Sequence, residues 1–216
     1  MANTFAPFGF AESGRLGAQP NYQISKRYIL YNNPTPIFFG DPIVQLSSGY
    51  IAQASTPNAQ IAGIFGGCTY MSISQKKIVE SQWWPGTADV AQASGYEVAA
   101  KVIDDPVAVF RVATGPGAAT GPLGQALVGA TCAFAFGPSL TGGYANGNPS
   151  LNGVSTACID MVTTPPSVVA GGNNYPFKVV EIIRDPPGAN GTDPTTPFNW
   201  VYVTFNAQSY RVVAPL

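Results

Sequence analysis

The chemistry open to this chain is limited first by a residue type it lacks. It has no histidine, the commonest general base and metal ligand. A Ser-His-Asp or Cys-His arrangement cannot be assembled from one such chain, and histidine-ligated zinc is excluded as well. Carboxylates remain. Asp104-Asp105 is the only adjacent acidic pair. It precedes Pro106, and aspartate before proline starts turns and bonds nearby backbone N–H groups. The pair lacks both the Asp-x-Asp-x-Asp spacing of a calcium loop and a following glutamate, so its expected role is a turn. Glu80 and Glu97 are the candidates for glycosidase carboxylates, because Trp83, Trp84 and Tyr96 lie nearby in the chain. Sequence spacing does not fix the distance between them, and any β protein offers such pairs.

Trp83-Trp84-Pro85-Gly86 is the most aromatic point of the chain. Neighbouring strand residues face opposite ways, so one tryptophan is expected in the core and the other at the surface or a subunit interface. A sugar-stacking platform is the functional alternative. Cys68, Cys132 and Cys158 are widely spaced and odd in number. They form no C-x-x-C pair and no disulfide framework. Each lies among small or apolar residues, which suits a buried thiol and folding in a cytosol. Gly115-Pro116-Gly117 and Gly142-Gly143 carry no Lys-Ser/Thr and fail the phosphate-loop pattern. No cofactor and no metal site is expected.

The elements that must position these residues are strands. Gly and Pro, 24 and 20 of 216 residues, punctuate short apolar runs, the mark of many strands and turns. Hydrophobic residues make up 45%, enough for a packed core. Charged residues are only 10%, against roughly 25% in a typical domain. Surfaces poor in charge suit permanent assemblies, since interface cores are depleted in charge. The net charge is −1, and no basic run exceeds Lys26-Arg27 or Lys76-Lys77, so nucleic acid is not an expected partner. No apolar stretch is long enough to span a membrane, and the first residues do not read as a signal peptide.

Strands are expected at Tyr22–Tyr31, Ile37–Phe39, Ile43–Leu46, Tyr50–Ala54, Gln60–Met71 with a break at Gly66-Gly67, Lys77–Trp83, Tyr96–Ile103 and Val107–Val112. The Ser47-Ser48-Gly49 loop makes the third and fourth of these a hairpin. In the second half, strands are expected at Val128–Phe136, Val154–Val162, Phe177–Arg184 and Trp200–Asn206. The loops between them, 137–153, 163–176 and 185–199, are long, and loops of that length usually carry function. The expected fold is all-β, a short-strand antiparallel sandwich or barrel with an extended N-terminal arm and long loops. The arm is residues 1–20, followed by a β region at 21–112, a linker or long loop at 113–127 and a second β region at 128–216, with the two β regions either separate or one domain. Phe5, Phe8 and Phe10 suggest that the arm docks, on its own chain, on a sister subunit or on a partner.

The order of several segments resembles the capsid cement (head decoration) proteins of tailed phages. Gly40-Asp41-Pro42-Ile43-Val44-Gln45-Leu46 runs through Gly49-Tyr50-Ile51 to Ile61-Ala62-Gly63-Ile64-Phe65-Gly66-Gly67-Cys68. Trp84-Pro85-Gly86 follows, then Val102-Ile103-Asp104-Asp105-Pro106 and Val109-Phe110-Arg111-Val112. Phe177-Lys178-Val179-Val180, Trp200–Asn206 and Tyr210-Arg211 complete the pattern. The motifs are strand and turn grammar, with Ile in place of Val at several positions; their order carries the likeness, over most of residues 38–211. The resemblance implies a non-enzymatic homotrimer on the outside of the virion capsid, bound to the major capsid protein and bridging neighbouring capsomers. Phe5, Phe8, Phe10 and Arg15 are then the expected capsid contacts, and Trp83 and Trp84 the expected subunit-interface residues. A phage tail or fibre component, or a glycan- or receptor-binding β module, is the alternative. A β-enzyme acting on polysaccharide through Glu80 ranks last.

Overall fold

Apolar residues recur at every second position along many of the short runs, and that period folds as strand with one buried face. In a computed structural model, which describes residues 2–16, 23–55, 60–91, 97–115, 121–137, 147–148, 153–168 and 175–208, the chain is all-β. Strand β1 (Ala11–Arg15) is followed by β2 (Ile24–Ile29), β3 (Pro42–Gln45), β4 (Ile51–Gln53), β5 (Gly63–Ser72), β6 (Lys77–Ser81) and β7 (Val98–Ile103). Then come β8 (Ala108–Gly115), β9 (Thr131–Cys132), β10 (Phe134–Phe136), β11 (Gly147–Asn148), β12 (Val154–Ser155), β13 (Ala157–Asp160), β14 (Phe177–Ile182) and β15 (Trp200–Phe205). The one helical feature among the described residues is a 3-10 turn at Gln125–Leu127.

Strands β2 to β7 form the first barrel. The order β3-β4-β2-β7-β5 closes because β5 pairs back onto β3, while β6 flanks β5 outside the ring. Every pairing is antiparallel except β2 with β4. The expected hairpin is present as β3–β4. The break expected at Gly66-Gly67 is a bulge inside β5 rather than an end, a shift of register against β7 between Phe65 and Cys68. Closure requires a glycine at Gly63, where a Cβ would lie 2.6 Å from the Ile103 carbonyl oxygen. The ring is filled by Ile29, Ile37, Ile43, Ile51, Phe65, Val98, Val102 and Trp84. Full burial of one such aliphatic or aromatic side chain stabilises a fold by about 1.5–3 kcal/mol.

The second sheet runs β10-β13-β8-β15-β14-β9, with β1 paired to β8. Strands β9 and β10 are separated by Ala133 alone, so one run of chain lies on both ends of the sheet and the sheet returns nearly to its start. Phe110, Phe134, Phe177, Val179, Val201, Val203 and Phe205 fill it. Ile61, Ile64 and Ile103 of the first barrel join the same cluster, so the two barrels share one apolar seam.

The strands locate the passage between the barrels and the seat of the arm. The chain passes between barrels at Asp104–Val107, not within 113–127, because β7 ends at Ile103 and β8 runs to Gly115. The described part of the expected linker is fixed in place. Leu123 is fully buried, and Asn199 accepts from its N–H at 3.0 Å and donates to its carbonyl at 3.1 Å. The arm docks on its own chain, one of the three seats expected for it. It contains β1, antiparallel on β8 with a bulge between Glu12 and Gly14. Its path crosses the first barrel where Gly9 (φ +72) meets Gly40 (φ +87), and Phe10 N–H donates to the Gly40 carbonyl at 3.0 Å. A Cβ on Gly9 would lie 2.7 Å from that of Ser155, so only glycine fits there.

Candidate functional site

Several of the aspartates have structural duties. Asp104 and Asp105 form the joint between the barrels. Arg27 of β2 donates to Asp104 Oδ2 at 3.3 Å, and Arg15 Nε of β1 lies 2.7 Å from Asp105 Oδ2. Adjacent carboxylates thus each hold an arginine from a different barrel. Asp105 also accepts from Val107 N–H at 3.1 Å, the turn bond expected of aspartate before proline. Gln208 adds a third tie, donating to the Asp104 and Ala62 carbonyls. Asp41 is buried and accepts from Phe38 N–H at 2.8 Å and Gln53 Nε2 at 2.9 Å. Asp160 gathers the N–H groups of Val162, Thr163 and Thr164 and the Thr164 hydroxyl.

The arm residues lie against their own chain. Phe10 is buried in the second barrel, stacked on Phe177 at 4.2 Å. Phe8 meets Trp200 edge to face at 5.1 Å, with the Arg111 guanidinium over both rings. Phe5 packs on Phe198 and over Gly115 and Gly137. Of the expected contact residues, then, Phe10 has no surface to offer a partner, and Arg15 is occupied by Asp105. The two tryptophans, beyond the end of β6, divide between core and half-buried positions. Trp84 is fully buried, donating Nε1–H to the Asn33 carbonyl at 3.1 Å, so it is not available to a sister subunit. Trp83 is half-buried, stacked on Phe38 at 5.5 Å and covering Gly153.

Glu80 and Glu97 lie on the outer face of the first barrel, and Tyr96 falls outside the described residues. Glu80 is paired with Lys101, whose ammonium holds its carboxyl below the usual range. A carboxylate kept charged is poorly suited to be a general acid. The three cysteines are free and buried. Burial pushes the Cys68 thiol up to about 12 and raises Cys132 and Cys158 as well. Among the described residues no three metal-ligating side chains gather.

One outward-facing feature among the described residues is a groove of about 590 Å³ across β2, β7, β5 and β6, lined by Ile24, Lys26, Thr69, Ile78, Ala99 and Lys101, among others. Ala99 and Thr69 are paired across β5–β7 and are small, which sinks the floor. Ile24 and Ile78 are 52% and 58% exposed. Lys26 sits directly opposite Lys101, and like charges so placed repel. Glu80 relieves Lys101, and Lys26 lies over the Tyr28 ring at 5.3 Å. Sequence reasoning passed over this face. The available signal was Ile24, an apolar residue in the polar phase of its strand beside Lys26.

No family model, no curated protein and no solved structure matches this chain.

Proposed function

We propose that this chain is a structural, non-enzymatic virion protein that binds the outside of a phage capsid and bridges neighbouring capsomers as a homotrimer. The observation that carries the reading is the outer face of the first barrel. It exposes isoleucines beside a cross-strand lysine pair, on a closed barrel whose Asp41 and Asp104 are held by an internal hydrogen bond and an ion pair. An apolar patch rimmed by polar groups marks an interaction surface. The ordered strand and turn segments that resemble cement proteins add support, because most of them build this barrel and its joint. Binding to the expanded shell and not to its precursor stabilises the expanded state by mass action, and three subunits gain from effective concentration.

The test is co-sedimentation of the purified protein with expanded heads that lack it. Saturable binding at a copy number set by the lattice is expected. Absence from heads, with copies found in tail fractions instead, overturns the proposal. One observation favours the second reading, a glycan- or receptor-binding module: the groove is of small-ligand size. A glycan that protects the Lys26 and Lys101 amines from acetylation would select that reading.

A further inference from the structure

The chain contains three Asn-Gly steps, at Asn146, Asn152 and Asn190. Such steps deamidate readily, because glycine leaves its own N–H unhindered to attack the preceding side-chain amide. At Asn190-Gly191 both reacting groups are engaged by the N-terminal arm. Asn190 Oδ1 accepts from Thr4 N–H at 2.6 Å, and Nδ2 donates to the Thr4 carbonyl at 3.2 Å. Gly191 N–H donates to Asn3 Oδ1 at 2.9 Å. Asn3 is itself held by the 193–196 segment, donating to the carbonyls of Asp193 and Thr196. Gly191 has φ +85 and lies under the Trp200 indole, where no Cβ fits, so the reactive glycine cannot be exchanged for a slower residue.

We propose that Asn190 is a covalent modification site, and that docking of the arm holds its deamidation off. With the arm displaced, the Gly191 amide nitrogen loses its proton to solvent base and attacks Asn190 Cγ. A Cγ–N bond forms, the Cγ–Nδ2 bond breaks, and Nδ2 leaves as ammonia. Water then opens the cyclic imide at either carbonyl, giving aspartate or isoaspartate. No redox partner is needed. The product has lost the donor that faced the Thr4 carbonyl and sets a carboxylate oxygen against it. Isoaspartate also lengthens the backbone of the loop. Either product disfavours redocking, so the step makes arm release one-way. This inference is independent of the capsid assignment.

The experiment ages the full-length protein in mildly alkaline buffer and follows each Asn-Gly peptide by mass spectrometry, with Asn146 and Asn152 as internal clocks. Asn3→Ala, which frees the Gly191 N–H, should accelerate conversion at Asn190 about tenfold or more while the internal clocks keep their rates. Such an acceleration is about 1.4 kcal/mol of lost protection. Equal acceleration at all three sites would signal general loosening and overturn the proposal. So would an unchanged rate at Asn190. A second variant, Asn190→Asp, should make the segment before β1 cleavable by trace protease in an otherwise folded protein. Resistance equal to that of the unaltered chain overturns the one-way step.

Discussion

Phe10 lies face to face with Phe177 and edge-on to Phe110 inside the second barrel. Truncating a buried phenylalanine to alanine costs about 3–5 kcal/mol. Phe10→Ala is therefore expected to lower the thermal midpoint sharply, whereas Ile24→Ala, on the exposed face, should leave it nearly unchanged. Differential scanning calorimetry of the two variants checks this. The thiols give a pH prediction. A thiol raised in the folded state keeps its proton where the unfolded chain loses it. The stability it contributes is complete below the ordinary value of 9.0 and falls as pH rises from there toward about 12 for Cys68. Denaturant midpoints should thus decline with alkalinity above about pH 9, and less steeply for Cys68→Ser. At neutral pH the native protein should not react with iodoacetamide until it is unfolded. Residue types were readable from sequence here: buried thiols, a turn at Asp104-Asp105, one tryptophan in and one half out. The arginine partners of that turn were not, because each comes from a distant strand whose register sequence does not specify.

At the scale of elements, alternation located most strands to within a few residues, as at Ile24–Ile29, Lys77–Ser81 and Trp200–Phe205. Strand β1 escaped that reading. The Pro and Gly of residues 5–10 argued against a regular element, and the strand begins just beyond them, at Ala11. Its pairing partner, β8, is almost a hundred residues away in the chain, and no local pattern encodes such a distance. Ring closure was hidden for the same reason: β5 must pair with β3, β6 and β7 together. The exposed groove depends on that pairing, since Lys26 and Lys101 meet only once β2 lies beside β7. Since β1 covers an edge of β8 and carries Phe10 into the core, deleting residues 2–16 should cost the second barrel its fold rather than remove a surface tether. Loss of near-ultraviolet circular dichroism from its aromatic cluster is the expected readout; an unchanged spectrum would refute it.

As a whole, the molecule is two barrels joined through Asp104-Asp105, a shared apolar seam and the Gln208 tie. A shared seam couples the unfolding of the two, so heat should melt them in one transition. Arg15→Ala deprives the nearly buried Asp105 carboxylate of its arginine partner. Its expected cost is about 1.5–3 kcal/mol, that of a hydrogen bond to a charged group, measured by urea titration. Two separate transitions in the unaltered protein would contradict the coupling. The arm has a further consequence, in time rather than in space. Asn3 and Thr4 bond to residues 190–196, and Phe10 waits for Phe177. On the ribosome these residues emerge long before Phe177 and residues 190–196 exist. A stretch made before its partners is among the last to find its place, and such distant pairings fold slowly. Throughout that interval three phenylalanines ride uncovered on the nascent chain, so the yield of folded protein depends on keeping them from other chains until β14 and β15 arrive.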